Sequence, residues 1–101
     1  MSDKKVSVIM SAYNAENSIE KTMSSLLMQT YENLEIIIAD DGSTDNTYNL
    51  LKKFSQTNKN ISVIKNSENL GLTKSLNMLI HLAKGYYIAR QDADDHSNAT
   101  R

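Results

Sequence analysis

The sequence predicts an α/β fold: a Rossmann-like parallel sheet built from alternating β-α units. Three observations carry this. Four short apolar runs recur along the 101 residues, at 6–10, 34–39, 61–64 and 86–89. Stretches with the apolar spacing of helices lie between them. No repeat and no linker interrupts the alternation. Parallel strands need crossover connections, and these are right-handed.

The first run, VSVIM, is broken only by Ser7. The second, LEIIIA, is rich in β-branched residues, which favour strands. Short, nearly continuous apolar runs are expected of a sheet buried on both faces. Ile19, Met23, Leu26, Leu27 and Thr30 fall on one face of a first helix, with Asn14 or Asn17 as its cap. Leu50, Leu51 and Phe54 mark a second helix, preceded by the cap-rich STDN at 43–46. Leu72, Leu76, Leu79, Ile80 and Ala83 mark a third, which Gly85 is expected to end as a left-handed cap.

Composition narrows the function classes. The length suits one compact domain, 1–101, of modest stability. A formal net charge of −1, with lysines and acids interspersed, gives no basic surface for nucleic acid. With no cysteine, disulfides and thiolate metal sites are ruled out. The opening apolar run is too short for a signal core or a membrane span, so the expected location is cytoplasmic. The glycosylation triplets at Asn60 and Asn98 are therefore read as chance. Zero prolines and three glycines are few for the loops of a complete domain, as in a fragment.

In open parallel sheets, ligands bind beyond the carboxyl ends of the strands. The segments there are Ser11-Ala12-Tyr13-Asn14, Asp40-Asp41-Gly42-Ser43 and Gln91-Asp92-Ala93-Asp94-Asp95. The last is the densest acidic cluster. Adjacent carboxylates repel unless a cation or donors offset them, and Mg²⁺ takes one or two carboxylates plus substrate phosphates. A solvated acidic turn is the plainer alternative, but the place at a strand end favours a metal site. An EF-hand loop fails, because Ser97 stands where glycine is required and no closing glutamate follows. The Asp40-Asp41 pair fits a carboxylate accepting ligand hydroxyl or N–H donors, and equally a turn before a helix. Tyr13 fits a stacking platform for a base, or simple packing. Lys74, near the start of the third helix, fits a phosphate contact or an ordinary surface lysine. The dinucleotide pattern G-x-G-x-x-G and the Walker A pattern are both missing.

VSVIMSAYN, LEIIIADDGSTDNT, NLGLTKSLN and GYYIARQDADD, in that order, resemble the N-terminal half of family-2 glycosyltransferases, which have the GT-A fold. The resemblance runs from about Val6 to Arg101, and its acidic-loop variant is most similar to bacterial enzymes that build surface glycans. It implies inverting transfer from a nucleotide-diphosphate sugar, with a UDP-sugar as the leading donor, to a glycan or lipid-linked acceptor. It implies that Ser11, Ala12 and Tyr13 lie at the base, that Asp41 contacts the base and that Asp40 supports it. Asp92, Ala93 and Asp94 form the Asp-x-Asp loop, and Asp92, Asp94 and Asp95 are the implied ligands of a divalent metal, Mg or Mn. Glu16 and Lys74 are lesser nucleotide-sugar candidates. Ala99 stands where the resemblance leads one to expect a proline.

The resemblance also implies a second half, carrying the acceptor site and the catalytic base, that this sequence lacks. The chain alone is then expected to be inactive and prone to self-association through an uncovered sheet edge. A lipid-linked acceptor would place it peripherally at the inner face of the membrane. The competing reading is a non-catalytic nucleotide- or nucleotide-sugar-binding module.

Overall fold

A computed structural model describes residues 5–28, 33–85 and 87–93. The element order is β1 (Val6–Ala12), α1 (Ile19–Leu27), β2 (Leu34–Asp40), α2 (Thr47–Thr57), β3 (Ile61–Lys65), α3 (Leu72–Leu82) and β4 (Tyr87–Arg90). The four strands form one parallel sheet in the order β3-β2-β1-β4. Val6 pairs with Leu34 on one side and with Tyr87 on the other. The chain steps outward from β1 to β3, then returns across β1 to lay down β4. The strand order therefore reverses between β1 and β4, and in such sheets a crevice opens at that point.

Alternation along β1 and β2 divides the core in two. Val8, Met10, Ala12, Ile36 and Ile38 pack with Ile19, Met23 and Leu26 of α1 and Leu51 of α2. Ile9, Ile37 and Ala39 pack on the opposite face with Leu76 and Leu79 of α3. This explains why the two central strands read as continuous apolar runs. The outer strands do not follow that expectation. β3 is only partly buried, and all four residues of β4 are exposed. β4 is one of the two sheet edges, and α3 covers it incompletely. Leu72 and Ile80, two of the apolar positions that the helical spacing predicts to be buried, are exposed as well. A groove of about 490 Å³ runs there between α3 and β4, lined by Ile9, Thr73, Leu76, Asn77, Ile80, Ile88 and Arg90.

The helix caps correct the sequence reading. Ser18 occupies the N-cap of α1, so neither Asn14 nor Asn17 does, whereas Asn46, within the expected cap-rich stretch, occupies that of α2 without a side-chain cap bond. The Asn14 side chain instead accepts the Thr44 backbone N–H of the neighbouring loop at 2.8 Å. Thr30 lies outside the described residues. Gly85 is not a left-handed cap, because α3 ends at Leu82 with Ala83 extended, and the positive-φ glycines are Gly42 and Gly71. Glycine is needed at 85 for close approach. A Cβ there would collide with Ser7 Oγ and lie 2.7 Å from Ser7 N. The Gly85 N–H donates to Ser7 Oγ at 2.8 Å, and Ser7 in turn donates to the Glu35 carboxylate. Among the described residues no helix is long and apolar enough to cross a membrane.

Candidate functional site

The crevice at the strand reversal is a cleft of about 270 Å³, lined by Ser11, Tyr13, Asn14, Ala15, Ser18, Leu72, Asp92 and Ala93. β1 runs straight into Ser11 and Tyr13, and β4 into Asp92 and Ala93. Four of the residues predicted for a nucleotide sugar thus meet here. Tyr13 is 50% exposed, so its ring is open to a ligand. Ala12 is fully buried beneath the cleft. Asp94 and Asp95 lie outside the described residues.

The Asp92 loop is held from below. Gln91 N–H donates to the Ile9 carbonyl at 2.9 Å, extending the β1–β4 ladder. The Ala93 carbonyl then accepts two buried hydroxyls of the α1 region, Thr22 at 2.8 Å and Ser18 at 3.2 Å. Thr22 sits on the buried face of α1 beside Ile19, Met23 and Leu26, where an apolar residue would serve packing alone. Asp92 carries a partly exposed carboxylate 3.6 Å from Arg90. Such a pair, open to water, contributes little to stability.

The loops after β1 and β2 are laced together. Asn14 N–H donates to Ser43 Oγ at 2.9 Å and Ala15 N–H to Thr47 Oγ1 at 2.7 Å. In the other direction, Asn46 N–H donates to Glu16 Oε1 at 2.9 Å. Glu16 therefore caps α2 from outside and does not line the cleft. Asp45 accepts both the N–H and the hydroxyl of Thr47; burial pushes its carboxyl up, but these donors outweigh that and hold it below its ordinary value.

Asp40 ends β2, Asp41 follows it, and both are buried. Asp40 accepts Ser43 N–H at 3.3 Å through Oδ2, while its buried Oδ1 has no partner among the described residues. Asp41 accepts Leu70 N–H at 2.8 Å and Asn66 Nδ2 at 2.9 Å on Oδ1, and Gly71 N–H at 3.0 Å on Oδ2. Burial raises its pKa, but these donors, with Ser75, outweigh the burial and hold the carboxyl below its ordinary value. Neither acid lines the cleft. Lys74 is exposed in the first turn of α3 and does not line it either.

Sequence reasoning passed over Asn66, Ser75, Ser18 and Thr22. Asn66 had a usable signal: it is the first polar residue beyond the carboxyl end of β3, the rim rule that singled out Asp40 and Asp92. Thr22 had another, as a polar residue on an otherwise apolar helix face.

A buried, laced rim around a cleft at the sheet's switch point is the arrangement of a ligand-binding α/β enzyme unit. The glycosyl transferase family 2 pattern matches residues 7–99, and the chain belongs to that family. A glycosyltransferase of Haemophilus influenzae, not further characterised, is 52% identical over 89% of this chain and 28% of its own length. The Escherichia coli UDP-Glc:alpha-D-GlcNAc-diphosphoundecaprenol beta-1,3-glucosyltransferase WfaP is 43% identical over 95% of this chain and 38% of its own. Among solved structures, the mannosyltransferase PcManGT of Pyrobaculum calidifontis in complex with GDP-Man and Mn2+ superposes with a TM-score of 0.83. It is 27% identical over 90% of this chain and 28% of its own. The fold is that of the N-terminal part of GT-A glycosyltransferases. The chain spans about a third of the length of these relatives.

Proposed function

We propose that this chain is the donor-binding part of an inverting glycosyltransferase that uses a nucleotide-diphosphate sugar, with a UDP-sugar as the leading candidate. The acceptor is a glycan or lipid-linked hydroxyl, which puts the protein in the cytoplasm, peripheral to the inner membrane face where the acceptor is lipid-linked. The observation that carries the reading is the cleft at the β1–β4 reversal, where Tyr13 and Asp92 face the same space. At about 270 Å³ it lies below the roughly 300–1,000 Å³ of whole-ligand pockets, and so suits part of a nucleotide sugar. Tyr13 stacks on the base, with Ser11 beside it. Asp92 is aimed at the ribose and diphosphate by the anchored Ala93.

Among the described residues no group of three His, Cys, Asp or Glu side chains is gathered to hold a metal. The donor chemistry still fits, since Asp92 offers a hard carboxylate oxygen at the cleft wall and two further acids, Asp94 and Asp95, follow it in sequence. In this reading Asp92, Asp94 and Asp95 hold Mg or Mn. Such a cation, when bound, stabilises the charge that grows on the departing diphosphate.

In the transfer, the bond from the anomeric carbon to the diphosphate oxygen breaks. A bond to the acceptor oxygen forms on the opposite face, and the acceptor proton passes to a base. The rim acids are poor candidates for that base. Asp40 and Asp41 are buried, and Glu16 and Asp45 accept backbone donors at the start of α2. General-base help contributes about 10²–10⁴-fold. The isolated chain is therefore expected to bind donor without effective transfer.

Calorimetric titration with UDP, with and without Mn²⁺, tests the reading. The expected result is binding that Mn²⁺ strengthens and that Asp92→Asn makes metal-independent. UDP binding unaffected by Mn²⁺ in the wild type would remove the metal claim, and no binding at all would remove the nucleotide claim. We also propose self-association of two copies through the exposed β4 edge, where Tyr87 and Ile88 are open to solvent. Sedimentation that shows only monomer at high concentration would refute it.

A further inference from the structure

We propose that Asn66 is a positioning residue for the nucleotide cleft, acting through the Asp41 carboxylate and the start of α3. The proposal rests on the nucleotide-binding reading above. Asn66 follows β3, and its backbone N–H donates to the Asp40 carbonyl at 2.9 Å. Its side-chain nitrogen donates to Asp41 Oδ1 at 2.9 Å and to Ser75 Oγ at 3.1 Å. The three residues are nearly closed to water, at 8% exposure for Asn66, 2% for Asp41 and 0% for Ser75. The ends of β2 and β3 and the first turn of α3 therefore meet at one buried carboxylate.

The chemistry explains the side chain. An ionised carboxylate and a hydroxyl oxygen, both buried, each call for a donor. An amide nitrogen supplies two N–H groups from one atom. Aspartate would supply none at neutral pH and would set a second charge against Asp41. The same carboxylate receives Leu70 and Gly71 N–H. Gly71 holds φ at 95°, the left-handed region, and the next residue, Leu72, lines the cleft with Tyr13 and Asp92. Asn69 reinforces the arrangement by donating to the Asp41 carbonyl at 3.2 Å. Asn66 fixes Asp41, Asp41 fixes the 70–71 backbone, and that backbone places Leu72 at the cleft wall.

Three variants separate this role from simple space filling. Asn66→Asp keeps the shape and removes both donors. Asn66→Ala removes the side chain without adding charge. Ser75→Ala deletes one partner. UDP affinity of the chain is measured by calorimetry in Mn²⁺, with circular dichroism as the folding control, and the Leu70 and Gly71 amide resonances are followed by NMR without nucleotide. Asn66→Asp is expected to weaken UDP by about tenfold or more, and by more than Asn66→Ala does. Ser75→Ala is expected to weaken it severalfold, and all three variants to shift both amides. Wild-type affinity and unmoved amides in Asn66→Asp would overturn the proposal. If that variant does not fold, the same outcome in Ser75→Ala overturns it. Failure of the wild-type chain to bind UDP overturns the nucleotide reading, and the proposal with it.

Discussion

Removing the two hydroxyls that hold the Ala93 carbonyl tests whether the acidic loop is anchored or merely adjacent. Thr22→Val is nearly isosteric and deletes the donor at 2.8 Å. Ser18 still donates at 3.2 Å, so the carbonyl keeps a partner. The single change is expected to cost about 1 kcal/mol, the usual net worth of one hydrogen bond. Ser18→Ala alone should cost no more, since its bond is longer. The double variant differs in kind. It leaves a buried carbonyl with neither hydroxyl, and losing the last partner of a buried acceptor costs about 1–3 kcal/mol. The double variant should therefore exceed the sum of the singles, with a total of about 2–4 kcal/mol if the loop stays in place. For a chain of 101 residues each kcal/mol corresponds to roughly 4–8 °C in Tm. If the loop lets go instead, stability is partly spared and Mn²⁺-dependent UDP binding is lost. Urea unfolding of the four proteins, paired with UDP titration, reads both. A double variant that is additive in stability and unchanged in binding would refute the anchoring argument.

Gly85→Ala drives a Cβ into the Ser7 backbone and hydroxyl, and overpacking of this kind costs about 1–3 kcal/mol, to be seen as a lower Tm. Acid should destabilise the fold through Asp41, Asp45 and Glu35. Each has a folded pKa below its unfolded value of 3.8, 3.8 and 4.5, so the stability they contribute is present above those values and fades as pH falls through the lowered ones. Burial raises the Glu35 pKa, but the Ser7 hydroxyl, the Lys84 N–H and the Lys5 and Lys84 charges together outweigh it. Glu35→Gln should flatten that acid limb in urea titrations between pH 5 and pH 2, and an unchanged limb would discount this contribution. Tyr13→Ala should weaken UDP by about 1–3 kcal/mol if its exposed ring stacks on the base, measured by calorimetry.

The alternation of elements was legible because β1 and β2 are buried on both faces and read as unbroken apolar runs. The same reasoning overstated the burial of β4, Leu72 and Ile80. Periodicity says which face of an element is apolar, not whether anything covers it. The rim rule located Tyr13 and Asp92, because strand ends can be counted without coordinates. It did not distinguish a side chain that faces the cleft from one that braces a loop. Asp40, Asp41 and Glu16 carry the same chemistry as Asp92, yet they make mostly internal hydrogen bonds. That division depends on the strand order and on the loops crossing between β1 and β2, which spacing along one chain does not encode. Gly85 makes the same point, since its reason is a neighbour 78 positions away in sequence.

β1 forms the cleft floor and contributes to both cores, with partners on both sides. A site seated on a sheet edge can open by fraying while the rest of the molecule stays intact. This one is mixed: the β4 wall that leads into Asp92 lies at an edge and can fray, whereas β1, paired on both sides, is expected to exchange its amide hydrogens last. Opening of the cleft is therefore expected to begin at β4 and to leave β1 in place. On the nucleotide-binding reading, nucleotide should slow hydrogen exchange most along β4 and at residues 91–93, and substitutions that loosen the β1–β4 pairing should weaken binding by raising the population of the opened form.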